Sequence, residues 1–183
     1  MPIKTNNKPH LTLATPSRKY KTTYLEYIKE VFAEDEEVVP FVLNTPADNF
    51  DSLLSELDGY SRGENMKPGF VSHSTFWLIE EEEKVVGATN IRHDLTEKLR
   101  LEGGHIGYGI RPSSRGKGYG TEILKLALIE ARKLGHKRVL VTCDKDNVKS
   151  AKVILRNGGE LHSEVSIKEK QIISQRYWID IID

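Results

Sequence analysis

The chain has 183 residues, enough for one domain with a sizeable core and too few for two domains of ordinary size. Lys plus Arg and Asp plus Glu balance at 27 each, so no global field is available to hold nucleic acid or an acidic membrane surface, and neither is expected as a partner. A single cysteine, Cys143, cannot form an internal disulfide, the N-terminus lacks the basic-then-apolar build of a secretory signal, and no apolar run approaches the ~20 residues needed to cross a bilayer; a soluble, cytoplasmic protein is expected.

Met1 to Pro9 is polar and reads as a loose leader, and "HLTLAT" after it alternates like a short edge strand. In "YLEYIKEVFAE", Tyr24, Leu25, Ile28, Val31 and Phe32 recur at three and four, the spacing of one helical face. A second helix is predicted over "ADNFDSLLSELDGY", capped by Asp48 or Asn49, with Phe50, Leu53, Leu54 and Leu57 inward and Gly59 as its end. "SRGENMKPGFVSH" reads as a long loop. From Ser74 the period becomes two: "STFWLIE", a solvated "EEEK" tip and "VVGATNIRHDL" predict a β-hairpin.

After the connecting stretch "TEKLRLEGG", "HIGYGI" is a strand that runs into a glycine-rich loop. Beyond it, "EILKLALIEARKLG" places Ile123, Leu124, Ala127, Leu128, Ala131 and Leu134 on one helical face and stops at Gly135. "RVLVTC" is nearly all apolar, as expected of a strand buried on both faces, so strand, loop, helix and strand form a βαβ unit. In "DKDNVKSAKVILRNGG", Asp146 or Asn147 caps a helix whose buried stripe is Val148, Ala151, Ile154 and Leu155, with Asn157 and Gly158 as the stop. "GELHSEVSI" and "QIISQRYWIDII" read as two final strands.

The chemistry centres on "RPSSRGKGYGTE", Arg111 to Glu122, where Gly116, Gly118 and Gly120 alternate beside Arg115 and Lys117. Glycines serve tight turns or close approach of bare backbone N–H groups to a ligand, and the flanking cations shift the reading toward an anion site. The N-terminus of the following helix suits an anion, with free N–H groups and a positive dipole end. Two phosphate motifs fail: Arg111 stands where the first glycine of a nucleotide P-loop belongs, and Thr121 replaces the third glycine of a dinucleotide fingerprint.

What remains, a strand ending in Ile110, Arg111 and Pro112 followed by Arg115, Gly118 and Gly120, resembles the acetyl-coenzyme A loop of the GNAT superfamily of N-acetyltransferases. "DNVKSAKVILRNGG" resembles the family's next helix, with an asparagine, a serine three residues later and a terminal Asn-Gly. The resemblance is good from about Ser74 onward and weak before it. It implies an α/β fold, a mixed and mainly antiparallel splayed sheet with helices on both faces. One acetyltransferase domain would span 1–183, with 1–70 as acceptor-side helices and loop and 71–183 as the sheet and acetyl-CoA-binding core.

The activity implied is transfer of acetyl from acetyl-CoA, the cosubstrate, to a primary amine by direct attack in a ternary complex. The alternative is a non-catalytic module that binds or senses CoA or an acyl-CoA. The acceptor is a small-molecule or peptide amine, and a homodimer is left open. Six histidines without metal-ligand spacing point to no metal.

The resemblance also implies site residues. Backbone from Arg115 through Gly116, Lys117, Gly118, Tyr119 and Gly120 to Thr121 cradles the pyrophosphate, with Lys117 as readily a solvated cation. Ile110 and Arg111 close the strand whose exposed backbone pairs with pantetheine, and an N–H near Ile110 serves the tetrahedral oxyanion. Asn147, with Ser150 after it, contacts the pantetheine arm or simply caps its helix. His105 stands where many members place a glutamate base and titrates near neutrality; a strand-end histidine bonded to a loop competes with that role, and Glu102 is the other base.

One departure is clear: Ile154 occupies the place of the tyrosine that protonates the leaving thiolate in many members. A thiol pKa of about 8.5 makes the thiolate a tolerable leaving group without that acid. Cys143 reads as a small core residue, and Arg92, His93, Arg176, Tyr177 and Trp178 are candidates to line the acceptor pocket or the core.

Overall fold

The computed structural model describes residues 9–181. Most of the polar leader from Met1 lies outside that range. The strands β1 (Leu11–Ala14), β2 (His73–Glu80), β3 (Lys84–Arg92) and β4 (Ile106–Ile110) form an antiparallel four-stranded sheet in that order. β5 (Arg138–Asp144), β6 (Glu160–Ile167) and β7 (Ile172–Asp180) form a second sheet in the order β5-β7-β6, also antiparallel.

Helices cover both faces. On one, α1 (Lys21–Ala33) and α2 (Phe50–Ser61) bury Tyr24, Tyr27, Leu53 and Leu57 against Trp77, Ile79, Val85 and Ala88 of β2 and β3. The Tyr24 ring stacks on Trp77 at 4.2 Å between centroids. On the other, α4 (Tyr119–Lys133) and α5 (Val148–Arg156) bury Leu124, Ala127, Ala131 and Ile154. That cluster takes Ile91 and Ile106 from the first sheet and Val139, Val141, Tyr177 and Ile179 from the second. One apolar core therefore spans two sheets whose backbones do not pair.

The sheets meet at β4 and β5. The His105 N–H donates to Leu140 O at 2.7 Å, and the Leu140 N–H donates to His105 Nδ1 at 2.8 Å. Beyond this point β4 and β5 share no ladder, so the expected βαβ succession is present in chain order while its strands stay splayed.

Several local expectations change. The caps are Asn49 and Asn147, whose side-chain oxygens accept helix N–H groups. Gly59 lies inside α2, and its carbonyl accepts from Arg62 and Glu64. Leu25, Phe32, Leu134, Val148 and Leu155 are exposed, because each helix packs on a narrower stripe than its apolar residues cover. A short helix, α3 (Glu97–Leu101), capped by Thr96, interrupts the stretch before β4. The "EEEK" tip is a turn with Glu81 and Glu82 at positive φ.

The segment before the 3-10 turn Phe41–Asn44 lies directly on β4. A Cβ added to Gly109 falls 2.0 Å from Val39 O, with backbone on both sides of the clash. Gly109→Ala should therefore destabilise the protein by at least about 1–3 kcal/mol, the usual cost of overpacking. Thermal unfolding checks this, and an unchanged Tm would show that the Val39 segment yields freely.

Candidate active site

The pairing of β4 with β3 sets which backbone groups face the junction. Arg111 N–H donates to Val86 O and Arg92 N–H to His105 O, both at 2.8 Å, which fixes Ala88↔Gly109 and Asn90↔Gly107 as the hydrogen-bonded pairs. These alternate with non-bonded pairs in an antiparallel ladder. The N–H and C=O groups of Tyr108 and Ile110 therefore point away from β3, toward β5, where no ladder receives them. Ile110 O takes only the Arg115 Nε–H, at 3.3 Å. This open edge is a seam about as long as a short strand.

The seam leads to the N-terminus of α4. Gly116 and Gly118 have φ of 81° and 83°, and a Cβ on either meets nothing within 4 Å, so backbone conformation rather than crowding requires glycine there. Gly120 differs: its added Cβ would lie 3.3 Å from Val153, which makes it a close-packing site between α4 and α5. Arg115 N–H already bonds Pro112 O, and Thr121 N–H bonds Gly118 O. The free donors are the N–H groups of residues 116–120, which have no acceptor among the described residues. The run of free N–H donors is thus shorter at both ends than the Arg115-to-Thr121 span expected to cradle the pyrophosphate.

Side chains around the loop divide sharply. Arg115 is half-exposed and pairs with Glu36 at 3.0 Å. Lys117 lies over the Tyr119 ring at 5.7 Å, while Tyr119 is buried and its hydroxyl bonds Glu80. Arg111 is 6% exposed and grips Glu30 and Glu26 of α1 through Nε and Nη2, so its guanidinium ties α1 to the loop, while its buried Nη1 has no hydrogen-bond partner among the described residues. Burial would raise the Glu30 carboxyl, but the hydrogen bonds from Arg111 and Ser113 outweigh it and bring the pKa down to about 2.

Across the seam, Asn147 Oδ1 accepts Ser150 N–H at 3.0 Å as the cap of α5, which leaves its amide NH₂ to donate elsewhere. Cap and ligand contact are thus compatible. The Ser150 hydroxyl lies 3.0 Å from the Tyr108 hydroxyl. Ile154 is fully buried and packs under Gly159, where an added Cβ would sit 2.4 Å from it, so that position faces the core and not the seam.

Glu102 and His105 are placed differently. Glu102 pairs with Lys170 of the β6–β7 turn, which also bonds Glu37 at 3.4 Å. Asp144, at the end of β5, joins this group: burial, then the Glu37 charge, raises its carboxyl above the usual range, partly opposed by Lys170. Beside it, Lys98, Leu101, Glu102, Ile167, Glu169 and Lys170 line a cavity of about 360 Å³.

His105, in contrast, is 8% exposed, and its Nδ1 lone pair takes the Leu140 N–H. A neutral imidazole has one lone pair, so this ring cannot accept a further proton without losing that bond. Burial first, then the His136 and Arg100 charges, lowers its pKa to about 4. The structure gives His105 the strand-end role that competed with the base assignment.

The remaining candidates are structural. Arg92 donates to Gly103 O and Gly104 O, His93 Nε2 lies 2.9 Å from Ser74 Oγ, and Arg176 bonds Ser163 and the Arg100 carbonyl. Tyr177 is buried, and Trp178 lies under Arg138. Sequence reasoning missed Tyr108, although its alternation with Gly107 and Gly109 in "HIGYGI" signals a side chain on the α4 and α5 face. No group of metal-ligating residues gathers among the described residues, and no described helix is long and apolar enough to cross a membrane.

The acetyltransferase (GNAT) domain model matches residues 11–160. A Salmonella typhimurium acetyltransferase that modifies the N-terminal serine of ribosomal protein L7/L12 is 16% identical, covers 94% of this chain and 95% of its own, and superposes with a TM-score of 0.67. The microcin C7 self-immunity acetyltransferase MccE, solved with acetyl-CoA and AMP, is 19% identical over 93% of this chain and 92% of its own, with a TM-score of 0.63. Spermidine N-acetyltransferase from Vibrio cholerae is 14% identical over 93% and 94%, with a TM-score of 0.62. No curated protein sequence matches the chain.

The buried histidines have a consequence that needs no ligand. His73 is 2% exposed, bonds Asn90, and is lowered from 6.5 to about 4 by burial and the nearby Arg92 charge. His105 shifts in the same direction and to about the same value. With folded pKa values below the unfolded one, the unfolded chain binds more protons between the two, so stability is full above pH 6.5 and falls as pH drops toward 4. Urea unfolding across that window should show the loss, and His105→Gln should flatten it; a pH-independent midpoint would contradict the assignment.

Proposed function

Because the chain belongs to the acetyltransferase (GNAT) domain family, and is an acetyltransferase on that account, we propose that it moves an acetyl group from acetyl-CoA to a primary amine by direct attack in a ternary complex. The observation that carries the donor half is the open edge of β4, which runs straight into the free N–H groups of residues 116–120. Pantetheine has two amides and can pair with Tyr108 and Ile110 as an added strand pairs with a sheet edge, while the pyrophosphate takes the helix N-terminus. Arg115 adds charge there. Its pair with Glu36 is exposed on both sides and therefore weak, so a pyrophosphate competes for it readily.

The acceptor half rests on the carboxylates. Glu37, Glu102 and Asp144 gather around the one ammonium of Lys170, a constellation suited to a cationic amine. The structural relatives that act on a protein N-terminus and on spermidine both use primary amines. On this reading residues 1–70 supply the acceptor side through the Glu36 to Phe41 segment, which covers Gly107 and Gly109 of β4. Glu102 is the better base of the two expected, since His105 holds no free lone pair. It removes the ammonium proton, directly or through water, and the neutral amine attacks the thioester. Whichever of the Tyr108 and Ile110 N–H groups pantetheine leaves free is the available donor to the oxyanion.

The decisive assay is thiol release from acetyl-CoA over a panel of polyamines, amino acids, aminoglycosides and peptides with free N-termini. Amine-dependent release is expected, and Glu102→Gln should lower kcat/KM for the amine roughly 10- to 100-fold while leaving acetyl-CoA affinity unchanged. CoA binding without turnover on any amine would instead support the non-catalytic module. Arg115→Ala should raise the KM for acetyl-CoA about tenfold and weaken its dependence on salt. An unaltered KM would remove Arg115 from the donor site.

A further inference from the structure

Resting on the donor reading above, we propose that the Tyr108 hydroxyl donates a hydrogen bond to the sulfur of the departing thiolate, with Ser150 holding that hydroxyl in the seam. Tyr108 offers both its backbone and a side-chain hydroxyl to the junction. Its N–H and C=O point toward β5, and its ring crosses to the start of α5, where the hydroxyl lies 3.0 Å from Ser150 Oγ. Tyr108, Cys143 of β5 and Ala151 of α5 pack on one apolar cluster, so the tyrosine sits where these three elements converge.

Other hydroxyls are placed elsewhere. Tyr119 bonds Glu80, Tyr177 bonds Gln175, and Tyr27 reaches Gly109 O from the α1 face. Ile154 has no proton to give and is sealed in the core. Ser150 can donate to the Tyr108 oxygen, which frees the tyrosine hydrogen to point at a ligand atom in the seam.

The step is a hydrogen bond and not a proton transfer. Burial, with a smaller contribution from Cys143, pushes the Tyr108 pKa up to about 12 against the opposing bond from Ser150. A phenol so weak does not surrender its proton to a thiolate whose conjugate acid has a pKa near 8.5. As the tetrahedral intermediate collapses, the C–S bond breaks and its electron pair goes to sulfur, where the Tyr108 O–H stabilises the charge. The thiolate takes its proton from water on release, and the proton lost by the amine leaves through the base. Cys143 is the titratable group facing Tyr108 across the seam, and burial raises its pKa to about 11, so neither group ionises over the working range.

The test uses bound CoA and needs no acceptor. In a Cys143→Ser background, the thiol of bound CoA is titrated by thiolate absorbance with Tyr or Phe at position 108. With Tyr108 the thiol should ionise about one pH unit or more below its value in Tyr108→Phe. In the full reaction Tyr108→Phe should lower kcat roughly 10- to 100-fold, with acetyl-CoA affinity within about twofold. Ser150→Ala should act in the same direction by a smaller factor, which keeps the proposal testable if the phenylalanine variant folds poorly. Equal thiol ionisation in both proteins would overturn the assignment. Absence of CoA binding by the wild-type protein would instead overturn the donor reading beneath it.

Discussion

The open seam between β4 and β5 is the constraint on which the rest of the molecule depends. Two antiparallel sheets share one apolar core under α4 and α5, yet their backbones join only where His105 meets Leu140. The core holds the strands near one another, and the reciprocal pair of hydrogen bonds pins one end. From there the strands separate, leaving backbone groups of β4 without protein partners among the described residues. Unpaired strand edges are normally a hazard that proteins cover or charge. Here the edge faces the junction with the second sheet, where no strand pairs with it. His105 must be neutral to accept the Leu140 N–H, so the burial that lowers its pKa serves the same geometry.

Each side of the seam is braced by different physics. On the proposed donor side it is backbone: the edge of β4, then five free N–H groups at a helix start. On the proposed acceptor side it is charge: Arg111 clamps α1 through Glu30 and Glu26, and Glu37 and Glu102 pair with Lys170 near Asp144. The brace at Arg111 gives a residue inside the anion motif a structural task as well. Its side chain turns back under α1, and only its N–H, bonded to Val86 O, belongs to the strand.

This division explains what could be read from the sequence. The succession of strands along the chain, the α4 stop at Gly135 and a cap at Asp146 or Asn147 were legible because period and punctuation are local signals. The positive-φ turns at Gly116 and Gly118 were legible because glycine spacing is also local. What failed needed tertiary knowledge. Val148 and Leu155 fit a helical stripe, but α5 packs only through Ile154, Ala151 and Val153, so they remain exposed. Tyr27 fell outside the predicted face of α1 and is among its most buried residues. His105 looked like a base because its own type titrates near neutrality; the Leu140 N–H that occupies it comes from 35 residues away. For Tyr108 the alternation marked a side chain on one face, but its hydroxyl's partner, Ser150, lies 42 residues on.

The glycines make the general point. Gly116 and Gly118 keep their place through positive φ, with open space around them. Gly120 lets α4 approach α5, while Gly109 makes room for the Val39 carbonyl on the opposite face of β4. A motif written as alternating glycines therefore combines backbone conformation and helix packing, two requirements with no common cause. They coincide because the seam, the loop and the α4–α5 interface are consecutive parts of one stretch of chain. Changing any one of these glycines perturbs a different interaction, and the loop retains its function only while all of them are met.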